Sequence, residues 1–465
     1  MIRMTLDEIA AITGGHLVNA DPAATVTGGV EYDTRALLPG GLFVAFAGEK
    51  VDGHDFAAGA IAAGATGVLG TRDTGQPGIV VDDPLRALAA LAAVVVTRLP
   101  DLVVVGLTGS SGKTTTKDYI GQLLAHLGET VAPAGSLNNE LGFPYTVLKA
   151  TPATRFLVLE MGARGIGHIR YLTDMARPRI GVVLNVGAAH IGEFGSVEGT
   201  AQAKGELVEA LDDTGVAILN ADDPLVSAMA ARTGARVVLV GEAAAATVRA
   251  EDVTLDDRGR AAYTLVTTSG SAPVRLAVTG RHQVGNTLAA AAVALEAGMG
   301  PAAVAAALGE VGIVSGRRMD VFDRADGVTV IDDSYNANPS STAAALRALA
   351  AMGEGRRTIA VLGFMAELGE HEISGHQEVG RLAAELGVDR LVAVAGDAAP
   401  ILQGAATVPA FKGEAVLAAD QAEAVALLRD DLQPGDVVLV KGSRYRTWEV
   451  ADALRADAAT EEVSP

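Results

Sequence analysis

The sequence predicts an α/β protein of three units: an N-terminal mixed α/β unit, a central parallel-sheet unit with a glycine-rich loop after its first strand, and a C-terminal doubly wound, Rossmann-like unit. Three observations predict it. From residue 84 onward, short apolar runs alternate with helical patterns, the signature of a parallel sheet covered on both faces. Residues 1–83 read differently, as short strands and turns ("HLVNADPAATVTGGVEYDTRALLPGGLFVAF") and then one helix and strand ("DFAAGAIAAGATGVLG"). A chain of 465 residues holds two to four domains. The expected boundaries are 1–83, 84–315 and 316–465.

The totals narrow the function. The chain is 49% hydrophobic and 20% charged, which suits a globular protein with large cores. A net charge of −20 argues against nucleic-acid partners, because phosphate backbones need clustered Lys and Arg. It leaves room for a small anionic substrate in a cleft where cations are focused. Without cysteine there are neither disulfides nor thiolate metal sites. "MIRMTLDEIAAITGG" carries charges where a signal peptide needs an apolar core, and no apolar run reaches the ~18 residues of a membrane span. The expected compartment is the cytoplasm, and the expected state is a monomer.

The elements follow in order. Asp83 before Pro84 caps a helix over "PLRALAALAAVVVTRL". Central strands are read at Leu102–Gly106, Phe156–Leu159, Ile180–Leu184, Val216–Leu219 and Val237–Val240, with helices near 114–127, 197–211 and 285–297. The third unit has strands at Val328–Ile331, Thr358–Leu362, Leu391–Ala395 and Val437–Val440, again separated by helices.

Ligands of open parallel sheets sit beyond the carboxyl ends of the strands, so the residues after each strand are the ones to inspect. After the first comes Gly109, Ser110, Ser111, Gly112, Lys113, Thr114 and Thr115. Glycines let successive N–H groups face one anion, and the following helix points its positive end at the same place. Lys113 supplies a charge for β- and γ-phosphates, and Thr114 a hydroxyl for Mg²⁺. Only two residues separate the glycines, fewer than in the commonest form of the motif. The alternative is a glycine turn beside a solvated lysine. Glu160 ends the next strand and could ligate a cation or simply face solvent. His190, in "NVGAAHIGEFGS", lies in a glycine-rich loop at the same edge, and Asn220 and Asp222 follow a fourth strand. Lys204 sits on a helix, where most lysines are solvated. A desolvated lysine can instead lose its proton and add CO₂ as a carbamate.

With these residues in place, the middle unit resembles the Mur ligases, cytoplasmic enzymes that extend the peptide of the peptidoglycan precursor. "DDSYNANPSS", "NNELGFP", "MAELGE" and "LVKGSR" are similar to the members that join D-alanyl-D-alanine to UDP-N-acetylmuramoyl-tripeptide. "YDTRALLPGGLFVAFAGEKVDGHDF" resembles their N-terminal substrate unit. The resemblance covers nearly the whole chain up to about Arg455. It implies ATP as cosubstrate and two Mg²⁺ ions, with Glu160 and His190 as metal ligands and Lys204 carbamylated. It puts Asn286 near the adenine, with His282 on the same helix face, and Asp332, Asp333 and Asn336 around the nucleotide. Thr34, Arg35, Asp52 and His54 are expected at the uridine nucleotide, and Asn138 and Asn139 at the muramoyl-peptide. Lys441, Ser443 and Arg444 are expected near the dipeptide's carboxylate. Arg317 and Arg318 fall at the hinge, and Arg317 is the first choice to neutralise phosphate charge. Phe364 departs from the small acidic or polar residue expected in "VLGFMAELG". A sibling ligase with another amino acid, a nucleotide-driven switch and a silent nucleotide-binding scaffold remain as alternatives.

Overall fold

The computed structural model of the chain describes residues 1–48, 50–187, 194 and 196–461. Its strands form four sheets. A two-stranded antiparallel ladder joins Met4–Thr5 to Thr25–Val26. A five-stranded sheet runs His16–Val18, Gly78–Val80, Gly67–Gly70, Leu42–Val44, Val30–Glu31; all neighbours are parallel except the first pair.

The central sheet has nine strands. Seven run parallel, from Thr130–Val131 through Phe156–Glu160, Val103–Thr108, Ile180–Val183, Val216–Asn220 and Arg236–Gly241 to Val248–Leu255. Arg260–Thr267 and Gly270–Thr279 then add an antiparallel hairpin. That hairpin was not read in the sequence. Its strands alternate buried residues with half-buried ones in Arg260–Thr267 and with exposed ones in Gly270–Thr279, so they lack the continuous apolar run that marks a doubly covered strand. Val103–Thr108 lies between Phe156–Glu160 and Ile180–Val183. The chain leaves it first toward one edge and then returns on its other side, which makes its carboxyl end a topological switch point.

Both faces of this sheet are covered. Leu107, Val158 and Ile218 pack with Ile120 and Leu288, which belong to the helices Lys113–Ala125 and Gln283–Glu296. On the other face Leu159, Leu207 and Phe143 belong to a core that also contains Leu88, Leu91 and Val95 of the helix Pro84–Thr97 and Ile9 of the helix Leu6–Thr13. Each such aliphatic side chain contributes ~1.5–3 kcal/mol on burial, so this helix cements the N-terminal unit to the central one. Asp83 caps it as expected, accepting from Leu85 N and Arg86 N.

The third unit is a six-stranded sheet ordered Asp320–Asp323, Thr329–Asp332, Val437–Lys441, Thr358–Leu362, Arg390–Val394, Glu414–Ala418, parallel except at the first edge. Separate apolar clusters cover its two faces, so it is doubly wound. No helix among the described residues is long and apolar enough to cross a membrane.

Candidate active site

The strand Val103–Thr108 ends at Gly109, and the helix starting at Lys113 opens on Gly112, whose φ is +79°. Backbone conformation favours glycine there, and a side chain would also displace Asn286. The conformation is left-handed, and a Cβ would come 2.5 Å from Asn286 Oδ1. The loop is tied to the neighbouring strand end, where Asn185 Oδ1 accepts from Ser111 N at 2.9 Å and Ser110 Oγ accepts from Gly187 N at 2.8 Å. Lys113 Nζ folds back to the Gly109 carbonyl at 2.8 Å. Burial lowers its pKa, opposed by the charge of Glu160.

Glu160 is buried at the end of its strand and collects three donors. Thr114 Oγ1 donates to its Oε2 at 2.8 Å, and Ser136 Oγ (3.0 Å) and Asn138 Nδ2 (2.7 Å) donate to Oε1. The two hydroxyls are themselves 2.7 Å apart. This is a compact set of oxygen donors at the foot of the phosphate loop, the ligand chemistry of a hard divalent cation. It contains one carboxylate; no cluster of three His, Cys, Asp or Glu residues suited to a metal occurs among the described residues.

Lys204 is 2% exposed, and burial together with the charge of Lys113 holds its amine well below the ordinary lysine value. Its helix, Val197–Glu209, also carries buried Glu206, which accepts from Gly167 N and Arg170 N at the start of the helix His168–Met175. His190 lies outside the described residues.

The C-terminal unit closes the other side. Asp333 Oδ1 accepts from Met319 N at 3.1 Å, and buried Lys441 pairs with Asp333 Oδ2 and donates to the Asn336 carbonyl at 3.0 Å. Burial pushes the pKa of Lys441 down, and Asp333 opposes it. Burial likewise lowers that of His282. Arg318 stacks 4.1 Å over the Tyr335 ring and brings Nη2 to 3.4 Å from Thr114 Oγ1.

A cavity of about 540 Å³ joins these parts. Ser110 through Thr115, Asn138, Asn139, Glu160, Lys204, Asn286, Asp333, Asn336, Lys441 and Arg444 all line it. Arg317 does not: it pairs with Asp452 at 3.1 Å and faces Trp448, while Arg318 takes the position in the cavity. Asn139 lines the wall but spends its carbonyl on Gly142 N at 2.8 Å. Arg444 meets Glu367 at 3.5 Å.

Thr34, Arg35, Asp52 and His54 lie apart from this cavity. They follow the parallel strands Val30–Glu31 and Leu42–Val44, so they share the carboxyl edge of the five-stranded sheet. His54 is buried; its Nε2 accepts from Thr71 N at 2.9 Å, so Nδ1–H donates to Asp52 Oδ1 at 2.6 Å. These bonds, together with Arg72, hold the Asp52 carboxyl well below the usual range. Arg35 is exposed and pairs with Asp33. The edge faces the central unit through Tyr145, whose hydroxyl donates to Glu31 at 2.7 Å and whose ring meets Tyr32 edge-on at 5.1 Å. Tyr145 lies on the helix Gly142–Val147, whose first N–H donates to Asn139 Oδ1, which links this edge to the cavity wall.

Ser136 and Asn185 were missed in the sequence. Asn185 begins the "NVG" that follows a strand, and the strand-end rule finds it. Ser136 comes from a loop with no strand signal, and only its closeness to Asn138 marks it.

A phosphate loop above a hydroxyl–carboxylate cluster, roofed by a second α/β unit, defines a nucleotide-dependent enzyme of modular α/β build. The chain belongs to the Mur ligase family: residues 107–294 match the Mur ligase middle domain, 317–444 the Mur ligase glutamate ligase domain, and 27–96 the Mur ligase family catalytic domain. The UDP-N-acetylmuramoyl-tripeptide–D-alanyl-D-alanine ligase of Mycobacterium tuberculosis (strain ATCC 25618 / H37Rv) is 49% identical, with 100% of both chains covered. Its Escherichia coli (strain K12) counterpart is 40% identical over 85% of this chain and 86% of that one. The crystal structure of MurF from Acinetobacter baumannii superposes with a TM-score of 0.86 at 33% identity, covering 97% of this chain and 99% of that one. MurF from Thermotoga maritima in complex with ADP gives 0.80 at 27% identity, covering 94% and 99%.

Proposed function

We propose that the protein joins D-alanyl-D-alanine to UDP-N-acetylmuramoyl-tripeptide, converting ATP to ADP and phosphate, in peptidoglycan precursor synthesis. The observation that carries this reading is the shared cavity. One chamber holds the phosphate loop, the Thr114–Ser136–Glu160 cluster and the charged residues of the C-terminal unit.

A carboxylate does not react with an amine at neutral pH, because oxide is a poor leaving group. The tripeptide's terminal carboxylate therefore attacks the γ-phosphorus of ATP; the bond to the bridging oxygen breaks, ADP leaves with the electron pair, and an acyl phosphate forms. The neutral amine of D-alanyl-D-alanine adds to the acyl carbon, phosphate leaves, and the new amide nitrogen loses a proton. Both steps gather negative charge, so positioned cations and N–H donors are the main catalytic resource. The loop from Ser110 to Thr115 holds the phosphates, Lys113 and Arg318 neutralise them, and Asn286, Asp333 and Asn336 surround the nucleotide.

The oxygen set of Thr114, Ser136 and Glu160 fits Mg²⁺, which when bound there neutralises charge on the phosphates. Lys204 fits the carbamate role: burial makes its amine easier to deprotonate, and a carbamate would supply oxygen ligands for a second ion, with His190 as a further ligand. The uridine nucleotide lies along the edge bearing Thr34, Arg35, Asp52 and His54. The peptide then runs past Asn138 toward the phosphate loop, and Arg444 receives the dipeptide's carboxylate. Closure of the C-terminal unit over the loop excludes water from the acyl phosphate.

The test is phosphate release from ATP. With UDP-N-acetylmuramoyl-tripeptide present, D-alanyl-D-alanine should raise it strongly, with one amide formed per phosphate. Equal release with a diamino acid, or release that needs no acid substrate, overturns the reading.

A further inference from the structure

One turn beyond Thr114, the phosphate-loop helix carries two charged side chains that the chemistry above does not use. Lys117 and Asp118 are 2% and 5% exposed, and Lys117 Nζ lies 3.0 Å from Asp118 Oδ1. A buried ion pair is unfavourable unless further hydrogen bonds hold both partners. Here those bonds leave the helix. Lys117 Nζ donates to the Pro133 carbonyl and, at 2.8 Å, to the Gly135 carbonyl. Asp118 Oδ2 accepts from Ser315 N at 3.0 Å. Ser315 Oγ in turn accepts from Gly135 N at 2.8 Å and closes the ring. One turn further on, Gln122 exchanges two hydrogen bonds with Gly312, at 2.9 and 3.0 Å.

Both captured segments lead into the site. Gly135 precedes Ser136, whose hydroxyl touches Thr114 and Glu160. Ser315 lies on the linker to the C-terminal unit, shortly before Arg318, which reaches Thr114. The linker is kinked there: Arg317 and Met319 have φ of 61° and 52°, in the left-handed region. The kink is held by Met319 N on Asp333 Oδ1 and by Tyr335 N on the Arg317 carbonyl at 3.3 Å.

We propose that Lys117 and Asp118 are positioning residues that couple the interdomain linker to the Thr114–Ser136–Glu160 cluster, so that Ser136 and Arg318 reach Thr114 together. What occupies the cluster rests on the functional reading above; the coupling is drawn from the contacts alone. A linker that swings away pulls Ser315 from Asp118 and Gly135, and the Ser136 loop loses that support. Cation binding and closure of the C-terminal unit are thereby linked, and the linkage is reciprocal: a cation at the cluster favours the docked linker by the same factor by which the docked linker favours the cation.

Ser315→Ala is the gentle probe, because Ser315 does not line the cavity. The readout is binding of a fluorescent ADP analogue titrated with magnesium chloride, which needs no turnover. The Mg²⁺ concentration at half-maximal binding should rise at least ~5-fold in Ser315→Ala and return in Ser315→Thr. The double variant Lys117→Met/Asp118→Leu replaces both charges by apolar groups of similar size, which leaves no unpaired charge but releases the Pro133 and Gly135 carbonyls and Ser315 N. It should show the same rise, with its melting temperature measured alongside. A wild-type Mg²⁺ midpoint in both variants overturns the proposal. So does a loss of nucleotide affinity that is uniform at every Mg²⁺ concentration, because the pair then only stabilises the helix. Failure of the ligase reading would show separately, as wild-type protein whose phosphate release ignores D-alanyl-D-alanine.

Discussion

Thr114 donates a 2.8 Å hydrogen bond to Glu160 across 46 positions of sequence. The contact follows from strand register. Phe156–Glu160 runs parallel beside Val103–Thr108 with Glu160 opposite Leu107, so the carboxylate emerges at the foot of the loop that Leu107 leads into. Thr114→Val and Glu160→Gln should each lower kcat by ~10²–10³ and raise the Mg²⁺ needed for half-maximal rate. The affinity for the uridine-linked substrate should stay near wild type, since its expected edge lies outside the cavity. Steady-state kinetics over a Mg²⁺ series, with calorimetric substrate binding, check both parts.

Arg317 and Arg318 are neighbours with opposite fates. Arg318→Ala should cost ~10²-fold in kcat, because that side chain reaches the cavity. Arg317→Ala should leave kcat near wild type and cost at most ~1 kcal/mol of stability, because its partner Asp452 is half exposed. Parallel kinetics on the two variants decide; the reverse order would show that closure re-sorts the pair.

Lys204→Ala should be inactive and regain part of its rate with short-chain carboxylic acids. In wild type, protonation competes with CO₂ addition at the amine. Burial and Lys113 lower the Lys204 pKa well below 10.5, so the neutral amine is available at lower pH than for an exposed lysine. Activation by bicarbonate should therefore be largest on the alkaline side and vanish as pH falls through that lowered pKa. Rates across a pH and bicarbonate grid test this; full activity in Lys204→Ala would rule it out.

The Asp52 carboxyl is held below its ordinary value of 3.8, first by the His54 backbone and ring and then by Arg72. A depressed carboxylate stabilises the fold above its unfolded pKa, because the unfolded chain takes up the proton first. That contribution is complete at neutral pH and is lost as pH falls below about 3.8 toward the folded value. The gap in melting temperature between wild type and Asp52→Asn should shrink over that acid range. A constant gap would mean that the side chain acts by shape alone.

The sequence made the scaffold legible wherever burial is two-sided. Val103–Thr108, Ile180–Val183 and Thr358–Leu362 are near-continuous apolar runs and were read to within a residue or two. The edge strand Glu414–Ala418 and the hairpin Arg260–Thr279 were not, because one of their faces meets water. The site divides the same way. Lys113, Thr114 and Glu160 stand at strand ends, where topology alone brings them together. Ser136 and the Lys117–Asp118 pair depend on loops folding back over the helix, and that contact leaves no periodic trace. Local pattern could not choose between Arg317 and Arg318 either; their adjacent positions are separated only by the left-handed kink of the linker.

On the proposed mechanism the acid substrate's own oxygen is phosphorylated in this cavity. UDP-N-acetylmuramoyl-tripeptide carrying heavy oxygen in its terminal carboxylate, turned over once with ATP and D-alanyl-D-alanine, tests it by mass spectrometry of the released phosphate. One heavy oxygen is expected in each phosphate formed. Amide product accompanied by unlabelled phosphate would contradict it.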